Sequence, residues 1–178
     1  MKPPAARFGW VWIALGVFVL DRATKAAVEN HTQIGYRHSV IPGFFDFVHA
    51  ANPGVAFGLF ADTPSRGITA ALSLATVLVC AMLIWLLATA RAGAALATLG
   101  ISLILGGAMG NLYDRLLHAG VTDFLYFHLG SHYWPAFNVA DAAITVGTVL
   151  VGIELIFLGN SPHHSEGLAP GTEPQPPR

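Results

Sequence analysis

Two aspartates in contrasting surroundings are the residues of this chain best suited to do chemistry. Asp123 lies in the apolar run 121–125 without an adjacent cation, whereas Asp141 opens an apolar stretch that is predicted to be a helix. Burial disfavours a charged carboxyl, while the dipole at a helix N-terminus favours it. Two carboxyls with separated pKa values can share one proton, as acid–base catalysis requires. We predict that Asp123 and Asp141 form a catalytic pair; the alternative is a helix-capping aspartate and an unrelated loop aspartate.

The composition of the chain indicates the setting in which these two aspartates act. The 178 residues are 54% hydrophobic and only 11% charged, whereas soluble domains carry a charged share of about 25%. The length predicts a single domain, and the composition predicts a membrane protein. The net charge is −1, so there is no basic field to attract nucleic acid, and we predict no nucleic-acid partner.

Four apolar segments are predicted to be transmembrane helices. Two of them are uncharged for longer than the roughly 20 residues that a bilayer crossing needs, and two flanking segments are weaker. The four predicted helices cover residues 8–28, 67–90, 92–115 and 138–158. Asp21 and Lys25 have the favourable i, i+4 order of a helical ion pair, which favours extending the first helix through them. A secretory signal peptide is the alternative for this first segment, although no small-x-small cleavage site directly follows Leu20.

The connections between these helices complete a domain of residues 1–159. The loop of residues 30–66 contains Pro42, Pro53 and Pro64, so we predict short β segments at the membrane surface instead of a helix. The second loop, residues 118–136, carries aromatic residues that favour the membrane–water boundary. Residues 160–178 are predicted to be a disordered tail. The loop charges leave the orientation in the membrane open.

Polar residues gather at those helix ends and loops that the predicted topology places on one membrane face. This group comprises Asp21, Lys25, Asn52, Asn111, Asp114, Arg115, Asp123, Asn138 and Asp141. Ionisable groups at membrane depth are costly and usually functional. Gly106 and Gly110, at i, i+4 on the third helix, would let a neighbouring helix approach closely. For the charged residues of the first and third helices, a purely structural role in joining helices is an equally good interpretation.

The sequence lacks the common metal and nucleotide motifs. It contains no His-Glu-x-x-His pattern, no P-loop and no Rossmann glycine pattern, each of which would indicate a specific cofactor. His128 and His132 stand at i, i+4 without an acidic third ligand nearby, which disfavours a metal site. We therefore expect a reaction that uses neither a cofactor nor a metal.

Five short motifs in order along the chain carry a family resemblance. They are Asp21-x-x-Thr24-Lys25, Asn52-x-Gly54-x-Ala56-Phe57-Gly58, Gly106-Gly107-Ala108-x-Gly110-Asn111-x-x-Asp114-Arg115, Val121-x-Asp123-Phe124 and Phe137-Asn138-x-Ala140-Asp141. In these motifs the chain resembles the bacterial lipoprotein signal peptidases, also called signal peptidase II, a family of aspartic peptidases. The resemblance covers about residues 8–157.

This resemblance implies a membrane all-α fold: four transmembrane helices, a small periplasmic β cradle in the first loop, and cytoplasmic termini. It implies that Asp123 and Asp141 are catalytic and that a second group shapes the substrate pocket: Asn52, Gly54, Asn111, Asp114, Arg115 and Asn138. Asp21, Lys25, Gly106 and Gly110 are expected to be structural.

The implied substrate is a prolipoprotein with a diacylglyceryl-modified cysteine, cut on the N-terminal side of that cysteine. The implied location is the bacterial inner membrane, with the active site near its periplasmic face. Membrane lipid and cyclic peptide inhibitors of the globomycin type are further expected partners. A small proton-coupled transporter or a lipid-binding membrane protein that uses the same buried acids is the alternative from another class. The absence of an evident inverted repeat makes a transporter less attractive.

Overall fold

The structure is a computed structural model that describes residues 9–53, 66–89, 92, 94–118 and 120–158. Its helices are α1 (Gly9–His31), α2 (Arg66–Ala88), α3 (Ala95–Leu117) and α4 (Val139–Ile153), and a π-helical turn, Glu154–Leu158, continues α4. Its strands are β1 (Arg37–Ile41), β2 (Phe45–Asn52), β3 (Val121–Leu129) and β4 (His132–Tyr133). Each helix therefore lies within a few residues of its predicted position.

Three of the described helices are long and apolar enough to cross a membrane. They cover Gly67–Ala88, Ala95–Leu117 and Val139–Phe157. On the first of them, Leu74 and Leu78 are each more than 60% exposed, as is suitable for side chains that face lipid tails. The chain is thus a multi-pass membrane protein. The second half of α1 carries Asp21, Arg22 and Lys25, which lower its hydropathy and keep it out of this group of three.

The β-sheet draws strands from both predicted loops, so the expectation of a cradle built in the first loop is incomplete. The four strands are antiparallel in the order β1-β2-β3-β4. Strand β3 is rich in aromatic and β-branched residues, which fit a half-buried pleated surface. Its register pairs Ala50 with Asp123 and Asn52 with Val121. This pairing brings the end of β2 beside the candidate catalytic Asp123.

Helix α3 lies at the centre of the helical part and is closely approached on two sides at glycines. A Cβ atom on Gly106 would lie 2.5 Å from the backbone oxygen of Ala14 in α1. A Cβ atom on the neighbouring Gly107 would lie 2.5 Å from the backbone oxygen of Ala140 in α4. Such close backbone contact between helices requires small residues. The glycines therefore allow α1 and α4 to bring their polar residues within hydrogen-bonding distance of α3.

Candidate active site

Asp141 is held at the start of α4 by a reciprocal pair of hydrogen bonds. Asn138 is the N-cap residue, and its Oδ1 accepts from the backbone N–H of Asp141 at 2.9 Å. In return, the Asp141 Oδ2 accepts from the backbone N–H of Asn138 at 3.3 Å. Asparagine is a favoured N-cap residue, and an acid three positions later completes this capping box. The local sequence 138–141 thus fixes the position of the Asp141 carboxylate.

Asp123 lies in β3 and is 2% exposed. Its Oδ1 accepts from Asn138 Nδ2 at 2.7 Å, and its Oδ2 accepts from Asn52 Nδ2 at 3.0 Å. Burial, followed by the nearby charge of Asp141, raises the pKa of Asp123 to about 7, although the two amide donors act in the opposite direction. A carboxyl in this condition can hold a proton near neutral pH.

Asn111 connects the two aspartates to a charged cluster on the other side of α3. Its Nδ2 donates to Asp141 Oδ1 at 2.8 Å, while its Oδ1 accepts from Lys25 Nζ at 2.9 Å. The Asn111 Oδ1 also lies 3.3 Å from Asn138 Nδ2. Both carboxyls and the amides of Asn52, Asn111 and Asn138 therefore belong to one continuous hydrogen-bond network.

The two carboxyls line a cavity of about 610 Å³, a volume within the usual range of small-molecule sites. Its polar lining residues are Asn52, Asn111, Arg115, Asp123, Asp141 and Thr145, and its apolar ones are Val121, Trp134, Pro135, Ala136, Phe137, Ala142, Ile144 and Val146. The Arg115 guanidinium lies within electrostatic range of both candidate catalytic carboxylates. The cavity can therefore hold an extended polar backbone beside the carboxyls and apolar chains along α4.

A buried charged cluster lies behind this cavity. Lys25 is fully buried, and its Nζ lies 2.8 Å from Asp21 Oδ2 and 2.8 Å from Asp114 Oδ2. The Asp21 Oδ1 also accepts from the backbone N–H of Ala140 at 2.9 Å, which ties α1 to the first turn of α4. A Cβ atom on Gly110 would overlap the Asp21 carboxylate.

The structure places the predicted site residues in two groups. Five of them line the cavity: Asn52, Asn111, Arg115, Asp123 and Asp141. Asn138 bonds to both aspartates but is not among the described lining residues. Asp114 is fully buried in the charged cluster and is absent from the described cavity lining. Gly54 lies outside the described residues, as do the tail residues 160–178.

Sequence reasoning assigned no role at the site to Arg22. Its Nη1 pairs with Asp114 Oδ1, and its guanidinium lies 4.5 Å from the centre of the Tyr113 ring. The i, i+3 spacing from Arg22 to Lys25 could have indicated that Arg22 joins the same cluster, because this spacing places two cations on one face of α1.

One group of side chains in the described part of the chain has the ligand spacing of a metal site. Glu29, Asp114 and His118 bring potential ligand atoms within 4.8 Å of one another. Asp114 is already paired with both Lys25 and Arg22, and Arg22 also lies 3.6 Å from Glu29. The acids of this group are therefore balanced by cations of the chain itself.

Comparisons with known proteins find relatives that cover most of this chain. The relatives include lipoprotein signal peptidases from Solibacter usitatus, 42% identical over 86% of this chain and 93% of the relative, and from Pseudomonas putida, 40% identical over 86% and 92%. A third, from Pseudomonas aeruginosa strain PAO1, is 38% identical over 86% of this chain and 92% of its own length. The resemblance inferred from the five motifs is thereby confirmed.

Two solved structures have the same fold. One, described as a bacterial membrane enzyme solved by the in meso method at 2.3 Å resolution, has a TM-score of 0.75 at 28% identity and covers 90% of this chain and 93% of its own. The other, solved by the same method at 1.9 Å, has a TM-score of 0.71 at 28% identity, with coverages of 83% and 92%. The sequence model of the family described as signal peptidase (SPase) II matches residues 13–157, and the chain belongs to that family.

Proposed function

We propose that Asp123 and Asp141 are the catalytic pair with which this chain removes signal peptides from prolipoproteins, as an aspartic endopeptidase. The observation that carries the proposal is that Asn138 donates to both carboxyls, through its side-chain amide to Asp123 and through its backbone N–H to Asp141, and that both carboxyls line a largely apolar cavity. Membership of the signal peptidase II family supports the same activity. The alternative of a small proton-coupled transporter or lipid-binding protein finds no support in these relatives.

The proposed reaction uses one proton shared by the two carboxyls. The ionised partner takes a proton from a water molecule, and the oxygen of that water attacks the scissile carbonyl carbon. The protonated partner meanwhile donates to the carbonyl oxygen, which gives a tetrahedral intermediate. When the carbon–nitrogen bond breaks, the carboxyl that took the water proton gives it to the leaving amine. The other carboxyl takes a proton back from a hydroxyl of the intermediate, which restores the starting state of the pair. The step consumes one water and requires neither a metal nor a cofactor.

The other cavity residues are proposed to hold the substrate backbone beside the pair. Asn52 and Asn111 each present an amide next to a catalytic carboxyl, and Arg115 supplies a planar guanidinium to carbonyl or acidic groups. Gly54 and Asn138 complete the proposed group. Asp114 would act indirectly, because its contacts are with Lys25 and Arg22.

The substrate is proposed to carry diacylglycerol on the cysteine that follows the cut. The apolar cavity wall along α4, which includes Ile144 and Val146, is suited to acyl chains entering from the surrounding lipid. A cyclic lipopeptide of the globomycin type should compete for the same cavity. Cleavage would release the signal peptide on the N-terminal side of the cysteine.

The experiment that tests this function compares two peptides that differ only in the lipid. Purified protein in detergent should cleave the diacylglyceryl-modified peptide, and it should do so without an ion gradient. The unlipidated peptide should be cut far more slowly. Equal cleavage of both peptides would contradict the lipid requirement, and cleavage of neither would contradict the proposed activity.

We further propose that α1 is a fourth membrane-spanning helix and that residues 1–159 form one inner-membrane domain. In this arrangement the sheet and the active site lie at the periplasmic face, and both termini are cytoplasmic. Residues 160–178, which lie outside the described residues, would then be on the cytoplasmic side. The support is that α1 packs closely against α3 at Gly106 and that all four strands lie in the two connections α1–α2 and α3–α4.

Single cysteines are expected to report this topology. Ser131 and Ala94 are both exposed but belong to opposite ends of the helical bundle. Ser131→Cys should react with an impermeant thiol reagent added to intact spheroplasts, whereas Ala94→Cys should react only after the membrane is permeabilised. Because the native Cys80 is buried, the parent protein is the background control. If only Ala94→Cys reacted in intact spheroplasts, the proposed orientation would be wrong.

Turnover is expected to fall as the pH rises through about 7, the raised pKa of Asp123. Below that pH the pair keeps the proton that the carbonyl oxygen needs, and above it both carboxyls are ionised. The raised pKa thus favours the active, protonated form on the acid side. The test is kcat measured across the neutral range with the lipidated peptide. A kcat that keeps increasing with pH well above 7 would contradict the shared proton.

A further inference from the structure

Lys25 has three hydrogen-bond acceptors within reach, although it is fully buried and absent from the described cavity lining. Two of these acceptors, the carboxylates of Asp21 and Asp114, balance its charge, each at 2.8 Å. The third is the amide oxygen of Asn111 at 2.9 Å. An ammonium group has three protons and no acceptor. The contact with Asn111 is thus additional to charge pairing and to the joining of helices.

This contact, which is shorter than the 3.3 Å approach of Asn138 Nδ2 to the same oxygen, favours one orientation of the Asn111 amide. With its Oδ1 directed at Lys25, the Asn111 Nδ2 donates to Asp141 Oδ1 at 2.8 Å. In the flipped orientation, an N–H donor would face the ammonium and a carbonyl oxygen would face the carboxylate. Both of these contacts are repulsive, because an ammonium only donates and an ionised carboxylate only accepts.

We infer that Lys25 is a positioning residue for the hydrolysis, because through Asn111 it fixes an N–H donor on Asp141. A carboxylate that accepts such a bond is stabilised in its ionised form. The ionised form is the one that can take a proton from the attacking water. This inference rests on the proposed catalytic role of Asp123 and Asp141, and it assigns Lys25 a function beyond the structural one expected from its spacing.

Any test must allow for the other charges around Lys25. Asp21 and Arg22 face it from α1, and Asp114 and Arg115 belong to α3. The charge of Lys25 also acts on Asp123, and the second catalytic carboxyl lies beyond Asn111. Removing Lys25 alone would leave two buried carboxylates with too few cations, which destabilises a protein strongly.

A pair of substitutions that removes one positive and one negative charge can distinguish a positioning role of Lys25 from a purely stabilising one. In Lys25→Met combined with Asp21→Asn, one cation and one anion are lost together, so the remaining charges stay balanced. Asp21→Asn alone is the matched control, since it keeps the bond from Lys25 to Asn111. A second, independent comparison sets Lys25→Met combined with Asp114→Asn against Asp114→Asn alone.

We expect kcat of the charge-balanced double variant to fall about 10–100-fold relative to its control, the usual worth of a hydrogen bond to a charged group. The KM for the lipidated peptide should be unchanged. The acid limb of the kcat profile should move to higher pH, because the ionised partner of the pair is less stabilised. Asp21→Asn alone should keep both kcat and the acid limb close to those of the wild type.

Other outcomes would overturn the inference. If both double variants have the kcat and the pH profile of their controls, Lys25 does not position the pair. If neither double variant accumulates in the membrane although the controls do, or if none of these variants accumulates, the role of Lys25 is structural. The proposed function is tested separately: wild-type cleavage and its loss in Asp123→Asn do not depend on Lys25.

Discussion

Replacing either Asp123 or Asp141 with asparagine is expected to lower turnover of a lipidated peptide by about 10²–10⁴-fold, the usual worth of one acid–base group. Asparagine keeps the shape of the side chain but can neither take nor deliver a proton at neutral pH. The double variant should be little slower than either single variant, because groups that act as a unit are not additive. The measurement is kcat of all three variants at saturating peptide.

Binding and metal dependence provide the controls for this prediction. Affinity for the lipidated peptide should survive in each variant, since the apolar cavity wall and the amides remain. A chelator should leave wild-type turnover unchanged, unlike the effect expected at a zinc site. Near wild-type turnover in either single variant, or inactivation of the wild type by the chelator, would refute the aspartic mechanism at these two residues.

Replacing Asn138 is expected to separate its role in capping α4 from its role at the catalytic pair. Asn138→Ser keeps a capping oxygen for the N–H of Asp141 but loses the amide that donates to Asp123. Turnover should therefore fall about 10–100-fold, as for loss of a hydrogen bond to a charged acceptor. Asn138→Ala should lose the same activity and, in addition, about 1 kcal/mol of unfolding free energy through loss of the cap.

The two measurements are kcat and thermal stability in the same detergent. Serine and alanine variants of equal activity but unequal stability would agree with the two assigned contacts. An Asn138→Ser protein that cleaves at the wild-type rate would show that the amide donor to Asp123 is dispensable.

The helices were predictable because apolar length alone predicts a membrane crossing. The helix predicted at residues 67–90 is observed at Arg66–Ala88, and the helix predicted at residues 92–115 is observed at Ala95–Leu117. The first helix was harder to assign, since Asp21 and Lys25 lower its hydropathy. These charges are tolerated because each is paired inside the bundle, which no property of the isolated segment reveals.

The sheet was only half predictable. Turn-forming prolines and aromatic residues indicated β structure in the first loop, but pairing of β2 with β3 joins residues some seventy positions apart, such as Ala50 and Asp123. That register depends on how α2 and α3 return the chain to the same face. Local propensity carries no information about such a long-range pairing.

The site was predictable in its members but not in its contacts. Burial of Asp123 and placement of Asp141 at a helix start followed from their neighbours in sequence. The assignment of Asp114 to the buried cluster depends on Arg22 and Lys25 in α1, whose side chains meet α3 only because Gly106 and Gly110 allow close packing. The direction of the Asn111 amide is likewise a tertiary property.

The most direct measurement is the mass of the products formed when wild-type and Asp123→Asn proteins are incubated side by side with a diacylglyceryl-modified prolipoprotein peptide. The account predicts two products from the wild type, a free signal peptide and a fragment that begins at the lipidated cysteine, and almost no product from the variant over the same time. Cleavage at another bond, or equal product from Asp123→Asn, would contradict it.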